Sequence, residues 1–186
     1  RLHGQNMFRR MLYERFIPKT DGQEHVPPVS VNHGFTHHYW SRKKHKVGNY
    51  EKYNLYPREE TVYPLIKPLG EAGVELMLLD IGWTNIHKDG WGVGDWTYDK
   101  AKFPNGMKHA SELMNKYGMK LGLWFQCEKT DSNAPIVKEH PEWLNPYLWQ
   151  PGKYTIRMDI PEARAWFMDQ VDDLVKNEGL QCYRQD

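Results

Sequence analysis

Three apolar segments of the chain each end in an acidic residue. These segments are Val74–Asp80, Lys120–Glu128 and Leu180–Asp186. Because helical patterns separate them, we predict parallel strands whose carboxyl ends meet at one edge of a sheet. In a parallel α/β barrel the catalytic residues lie at that edge. The sequence therefore favours an enzyme that works with carboxylates.

Strand and helix patterns alternate along most of the sequence. An earlier strand is predicted at residues 29–32, and helices are predicted at 58–72, 107–117 and 161–178. We predict an α/β fold, namely the amino-terminal half of a (β/α)8 TIM barrel with strands 1 to 4 in residues 29–186. Residues 1–28 should form a helix followed by an irregular linker.

Several local patterns add detail to this prediction. Pro64 and Pro68 lie inside the first crossover helix, so we expect that helix to be kinked or split. Residues 33–56 are predicted to form a long polar loop. Residues 154–160 alternate in polarity like an edge strand, and residues 134–140 should form a short helix.

Length and charge limit the classes of protein that fit. The chain has 186 residues, whereas a complete barrel takes about 250. It begins without methionine and ends inside a predicted strand, so we expect a piece of a longer protein. Lys plus Arg number 25 and Asp plus Glu 24, a balance that does not predict binding to nucleic acid or to an anionic membrane. The cellular compartment is left open.

Aromatic residues and cysteines allow more than one interpretation. The sequence has eight Trp and eleven Tyr, several of them beside Gly, Asp or His in predicted loops. Rings exposed in a cleft bind the apolar face of a sugar, but such rings are also ordinary core residues. Cys127 and Cys182 form no metal-binding or disulfide pattern, so we predict two free thiols.

Six short motifs occur in a characteristic order. They are LDIGW (79–83), GDW (94–96), KFPNG (102–106), GMKLGLWF (118–125), HPEW (140–143) and YRQD (183–186). In order and spacing they resemble the retaining α-galactosidases of glycoside hydrolase family 36, over residues 74–186 and more loosely over residues 1–40. The resemblance implies a barrel enzyme that removes terminal α-linked galactose or a related sugar by double displacement, with no cofactor.

The resemblance also implies roles for the acids at the strand ends. Asp186 matches the nucleophile of the family, and the acid/base would lie beyond residue 186. Arg184 matches a family lysine, and we expect it to bind sugar hydroxyls and to keep Asp186 ionised. A purely structural ion pair is the alternative. Asp80 matches the first of two acids that hold the galactose O4 and O6 hydroxyls, but Ile81 replaces the second.

Other residues at the predicted rim are candidates for sugar binding. Glu128 would either contact the substrate or brace Arg184 or its loop, while Asp95 is expected to cap amide groups of its own loop. The tryptophans are candidates for stacking on the sugar, and the remaining polar residues for lining the subsite. The substrate-binding candidates are Asn32, Trp40, Asp80, Trp83, Trp96, Trp124, Glu128 and Arg184.

Alternatives to this hypothesis come from the same residues. The histidines at 33–38 suggest a metal-dependent hydrolase, but adjacent histidines need not converge on one ion, and we predict no metal site. An α-N-acetylgalactosaminidase, a transglycosylase or a non-catalytic carbohydrate-binding barrel fragment also fits. The predicted partner is a small oligosaccharide or galactoside, and oligomerisation of the parent protein is left open.

Overall fold

The described chain is organised around one parallel sheet. The computed structural model describes residues 2–17, 19–20, 22–24, 26–35, 56–85 and 92–186. Within them the strands are β1 (Lys19–Thr20), β2 (Gln23–Glu24), β3 (Ser30–Asn32), β4 (Leu76–Leu79), β5 (Lys120–Phe125), β6 (Lys129–Asp131), β7 (Leu144–Pro146), β8 (Lys153–Ile156) and β9 (Cys182–Gln185). The helices are α1 (Leu2–Phe16), α2 (Glu59–Glu71), α3 (Met107–Lys116), α4 (Pro135–Glu139) and α5 (Pro161–Asn177), with a 3-10 turn at Pro141–Trp143.

Strands β3, β4, β5 and β9 pair in that order, and each pair is parallel. The register sets Asn32 opposite Leu78, and Trp124 opposite Arg184. Helices α2, α3 and α5 connect successive strands from β3 to β9, so the predicted α/β fold with a parallel sheet is confirmed. The assignment of these strands to one half of a barrel stays a prediction.

One face of this sheet forms the main core. Met77, Leu79, Leu121 and Leu123 alternate along β4 and β5 and are fully buried. They pack in one cluster with residues of the three crossover helices, among them Val62, Ile66, Ala110, Met114, Phe167 and Leu174. The alternating positions point to the opposite face, which carries the polar residues of the predicted site.

Helix α2 runs without interruption through both of its prolines. Of the two predicted outcomes, a kinked or a split helix, the split is therefore excluded. Each proline removes one backbone donor, but Val62 and Ile66 bury the inner side of α2 against the core, and this packing offsets the loss. At the end of α3, Gly118 takes a positive φ of 77°, the conformation that glycine adopts where a helix ends.

The region before the sheet differs from the prediction. Helix α1 buries none of its side chains, and the predicted irregular linker contains a small antiparallel hairpin of β1 and β2. Gly22 lies between these strands with a positive φ of 77°, which suits a tight turn. Residues 33–35 are helical, so the predicted loop 33–56 does not start as irregular chain. No helix in the described ranges is long and apolar enough to cross a membrane.

A second sheet follows the carboxyl end of β5. Strand β8 lies between β6 and β7, and both pairs are antiparallel. The predicted strand in this segment is present at Lys153–Ile156, but it is the central strand of its sheet and not an edge strand. Its two three-residue partners are too short to give a sequence pattern. The predicted strand 120–128 ends early at Phe125, since the chain turns and enters β6.

The turn between β7 and β8 is fixed by its own backbone. The Tyr147 N–H donates to the Lys153 carbonyl (3.0 Å), and the Gln150 N–H donates to the Tyr147 carbonyl (3.3 Å). At its tip the side chains of Leu148 and Trp149 are 88% and 86% exposed. The tip therefore presents apolar side chains to solvent from an ordered backbone.

A buried ion pair joins the second sheet to the loop that follows β4. Asp131 and Lys153 form a salt bridge with side chains that are 2% and 9% exposed. The second carboxylate oxygen of Asp131 accepts the N–H groups of Gly92 (2.8 Å) and Val93 (3.2 Å). In the same loop a Cβ on Gly94 would overlap the Thr130 side chain, so only glycine fits.

Replacing Lys153 by methionine should weaken the fold. In Lys153→Met the buried Asp131 loses its counter-charge, and we expect the free energy of unfolding to fall by about 3 kcal/mol. Denaturant titration followed by tryptophan fluorescence measures the change. Lys176→Met is the matched control, because Lys176 pairs with Asp172 on the exposed side of α5 and its loss should change little. Equal effects of both substitutions would contradict a structural role for the buried pair.

Candidate active site at the carboxyl edge of the sheet

Asp80 is the first acid at the carboxyl edge of the sheet, directly after β4. Its Oδ2 accepts hydrogen bonds from Asn32 Nδ2 (2.5 Å) and from Arg184 Nη1 (3.4 Å). Its Oδ1 accepts the backbone N–H of Ile81 at 2.7 Å. The side chain is 15% exposed. Asp80 thus links residues from β3 and β9 through its own carboxylate.

Arg184 lies between two carboxylates. In addition to its bond with Asp80, its Nη2 lies 3.8 Å from Oδ1 of Asp186. The guanidinium is 34% exposed, so it can still reach a ligand in the space above the edge. The proximity of Arg184 and Asp186 follows from their i, i+2 spacing at the end of β9, which sends both side chains to one face.

The side chain of Asp186 is more exposed than that of Asp80. Its backbone N–H donates to the Phe125 carbonyl at 2.9 Å, which continues the pairing of β5 and β9 by one residue. Its Oδ2 accepts the indole N–H of Trp124 at 2.8 Å. The side chain is 54% exposed. The carboxylate is therefore anchored at one oxygen and open to solvent at its other side.

Trp83 and Trp96 do not present a face on which a sugar could stack. Trp83 and Trp96 are 0% and 1% exposed and pack against Phe125 at ring distances of 5.4 and 5.3 Å. The prediction that these two residues stack on a sugar is wrong, because the loop after β4 folds both rings into the core. Trp124 is 4% exposed and contributes its N–H rather than a ring face. Trp40 lies outside the described residues.

The other predicted site residues bond to protein groups at the edge of the sheet or in their own loop. Glu128 accepts a hydrogen bond from Gln185 Nε2 (3.0 Å), so it braces β9 through Gln185 and not through Arg184. Asp95 accepts the N–H of Thr97 at 3.2 Å, which confirms its predicted capping role. The side-chain oxygen of Asn32 (Oδ1) also accepts a hydrogen bond from the backbone N–H of Phe35. Asn32 therefore orients the Asp80 carboxylate while its own amide is fixed.

Comparison with known proteins assigns the family. The sequence model of the melibiase family matches residues 33–184. The chain belongs to the melibiase family. It is 29% identical over 175 residues to α-galactosidase Mel36A of Lactobacillus acidophilus, covering 87% of this chain and 22% of that protein. The predicted resemblance to family 36 α-galactosidases is thus confirmed, and the chain spans about a fifth of the length of these curated relatives.

Solved structures support the same assignment. The α-galactosidase of Lactobacillus brevis superposes with a TM-score of 0.67 at 25% identity, over 87% of this chain and 20% of that one. A variant of the family 36 α-galactosidase AgaA of Geobacillus stearothermophilus, in complex with stachyose, gives a TM-score of 0.69 at 19% identity, over 94% of this chain and 23% of that one. At 19% identity, the similarity to AgaA shows a shared fold and nothing more.

The described part of this melibiase-family chain contains no group of three or more His, Cys, Asp or Glu that could hold a metal ion. His33 is buried after β3, where its Nε2 lies 3.1 Å from the Thr61 hydroxyl. The other two histidines of the motif, His37 and His38, lie outside the described residues. His33 thus has a neighbour in α2 that accounts for its position.

Cys127 lies beside Glu128 at the same edge. Burial raises the pKa of its thiol, and the hydrogen bond and negative charge of Glu128 raise it further, to about 11. The thiol is therefore neutral across the physiological range, and it ionises only as the pH approaches 11. Both cysteines are free, as predicted.

The raised pKa predicts slow alkylation of Cys127. In a Cys182→Ser variant, Cys127 is the one cysteine left, and only its thiolate form reacts with iodoacetamide. The rate of alkylation should therefore still rise about tenfold per pH unit above pH 9. Mass spectrometry of the native protein between pH 7 and 11 measures this rate. The same protein in denaturant is the control, because an unperturbed thiol has a pKa of about 8.5 and its alkylation rate levels off above that pH. A plateau below pH 9 in the native protein would contradict the raised pKa.

Proposed function

We propose that this chain is part of a retaining glycoside hydrolase that removes terminal α-linked galactose or a closely related sugar. The observation that carries the proposal is the exposed Asp186 carboxylate at the end of β9, held by Trp124 and beside Arg184. The melibiase match supports the reaction class, because the relatives Mel36A and α-galactosidase 1 of Pediococcus pentosaceus are named α-galactosidases.

In the proposed mechanism Asp186 is the nucleophile. Its carboxylate attacks the anomeric carbon as the glycosidic C–O bond breaks, and the leaving oxygen takes a proton from the acid/base. Water then attacks the same carbon, returns a proton to the acid/base and releases Asp186. We propose that the acid/base is contributed by a part of the enzyme outside these 186 residues, about 5–5.5 Å from Asp186. No cofactor takes part in these steps.

Asp80, Asn32 and Arg184 form the proposed sugar-binding group. Asp80 and Arg184 are both partly exposed and carry opposite charges, so together they can accept and donate hydrogen bonds to neighbouring sugar hydroxyls. Asn32 holds the Asp80 carboxylate in place at 2.5 Å. The stachyose complex of AgaA supports an oligosaccharide or galactoside as the substrate. Glu128 acts from outside this group, through Gln185.

The nucleophile assignment predicts a specific loss of activity. In the full-length protein that contains this chain, Asp186→Asn should abolish turnover and retain sugar binding, because the amide cannot form the glycosyl ester. An activated fluorinated galactoside should label Asp186 covalently, as shown by peptide mass spectrometry. Asp159→Asn is the matched control, since Asp159 also follows an arginine by two positions and pairs with it on the surface.

Two other outcomes would identify a different function. A label on Glu128 would show that the nucleophile is the acid that follows β5, and it would overturn the role of Asp186. Binding of galactosides without labelling or turnover would identify a non-catalytic carbohydrate-binding protein. Isothermal titration calorimetry with a galactoside separates this second outcome from a protein that binds no sugar.

Ile81 is proposed to set the choice of sugar. The resemblance to family 36 implies a second acid at this position, and the partly buried Ile81 side chain packs against the core. Ile81→Asp should raise kcat/KM for an α-galactoside by about tenfold, because a second carboxylate adds a charge-assisted hydrogen bond to a sugar hydroxyl. Ile81→Asn is the control for size and polarity. Thermal melting should accompany both assays, and no gain in a folded Ile81→Asp protein would remove Ile81 from the specificity site.

A further inference from the structure

The two carboxylate oxygens of Asp186 have different surroundings. Oδ2 accepts the Trp124 indole N–H at 2.8 Å, a good hydrogen-bond distance. Oδ1 faces the guanidinium of Arg184, whose Nη2 lies 3.8 Å away and outside hydrogen-bond distance. A carboxylate that is free to rotate would exchange these positions. The surroundings of Asp186 therefore distinguish one oxygen from the other.

The indole that makes this contact is held on several sides. Trp124 lies on β5 opposite Arg184, and its backbone carbonyl accepts the indole N–H of Trp83 at 2.9 Å. Its ring packs against Trp96 with centroids 6.3 Å apart, and only 4% of the residue is exposed. The Trp124 N–H thus comes from a side chain with little freedom to move, which makes it a fixed reference point for Asp186.

We propose that Trp124 is a positioning residue that selects the attacking oxygen of Asp186. The indole N–H holds Oδ2, and Oδ1 forms the bond to the anomeric carbon. The electron pair of the breaking glycosidic bond goes to the leaving oxygen, which is protonated by the acid/base. This inference rests on the proposed function and adds to it the orientation of the nucleophile, a role that differs from stacking on the sugar.

Orientation of the nucleophile has a direct kinetic consequence. The backbone of Asp186 is fixed on β5 through its bond to the Phe125 carbonyl, so rotation of the side chain is the main freedom left. Without the indole N–H the carboxylate samples orientations in which neither oxygen is aligned with the anomeric carbon. A loss of alignment lowers the rate of attack more than it lowers sugar binding, which depends on Asp80 and Arg184.

The test compares two equally buried tryptophans in the full-length protein. Trp124→Phe removes the donor to Asp186. Trp96→Phe is the matched control, because Trp96 belongs to the same aromatic cluster and its Nε1 has no hydrogen-bond partner among the described residues. Replacement of Trp124 by β-(3-benzothienyl)alanine, which substitutes sulfur for the N–H in a ring of nearly the same shape, separates loss of the donor from loss of packing.

The rate of covalent inactivation by an activated fluorinated galactoside is the main readout, since it reports attack by Asp186 alone. Trp124→Phe and the benzothienyl variant should both slow it by roughly 10- to 100-fold, the size expected for one lost hydrogen bond to a charged group. Trp96→Phe removes no donor and keeps an aromatic ring against Trp124, so it should slow inactivation much less. The dissociation constant of the iminosugar 1-deoxygalactonojirimycin, which is bound in one AgaA structure, should be unchanged in all three.

The other outcomes separate this inference from the proposed function. If Asp186 is labelled and the benzothienyl variant reacts at the normal rate, the role of Trp124 is overturned and the nucleophile stands. Equal slowing by Trp96→Phe would show a general packing effect and would also overturn it. If the label maps to another carboxylate, the proposed function itself fails, whatever the tryptophan variants do.

Discussion

The parallel register of β4, β5 and β9 is the constraint on which the site depends. Parallel strands end at the same edge, so the residues that follow β4 and β9 are brought together although they are far apart in sequence. Asp80 and Asp186 meet the same guanidinium for this reason. A slip of one residue in either pairing would turn these side chains to the opposite face.

The aromatic cluster behind the edge gives the site its rigid support. Trp83, Trp96, Phe125 and Phe167 contact one another in tilted or edge-to-face pairs, and such pairs add to the energy of burial. This cluster belongs to the same core that holds the strands together. Trp124 belongs to this core and lies next to the carboxyl edge of the sheet, where its single N–H group reaches a carboxylate. Stability of the core and orientation of the polar edge therefore depend on the same side chains.

The sequence was sufficient to predict the strands of the parallel sheet, the crossover helices and the meeting of Asp80, Arg184 and Asp186 at one edge, because these follow from alternation and from residues that end strands. The contact between Trp124 and Asp186 follows from the pairing of β5 and β9. Trp124 lies opposite Arg184 and faces the same side of the sheet. The direction of Trp96 was not predictable, because a loop has no period and tertiary packing alone decides which way its rings turn.

Short strands were the other elements that the sequence pattern did not predict correctly. The second sheet consists of strands of three or four residues, which are stabilised by pairing with distant segments and not by their own composition. In the same way, the hairpin of β1 and β2 has two residues per strand. Local patterns in such segments are too short to distinguish a central strand from an edge strand or a hairpin from a linker.

The tip formed by Leu148 and Trp149 lies apart from the contacts that anchor the second sheet. This separation allows the length of the tip to change without a change in the sheet. The ion pair of Asp131 and Lys153 holds the base of the β7–β8 hairpin, while the tip is exposed to solvent. Insertions or deletions at the tip would change the outline of the protein without passing strain to the strands beneath. The hairpin is accordingly a position where loop length can vary between lineages, or where a reporter sequence can be inserted, while the carboxylates keep their spacing.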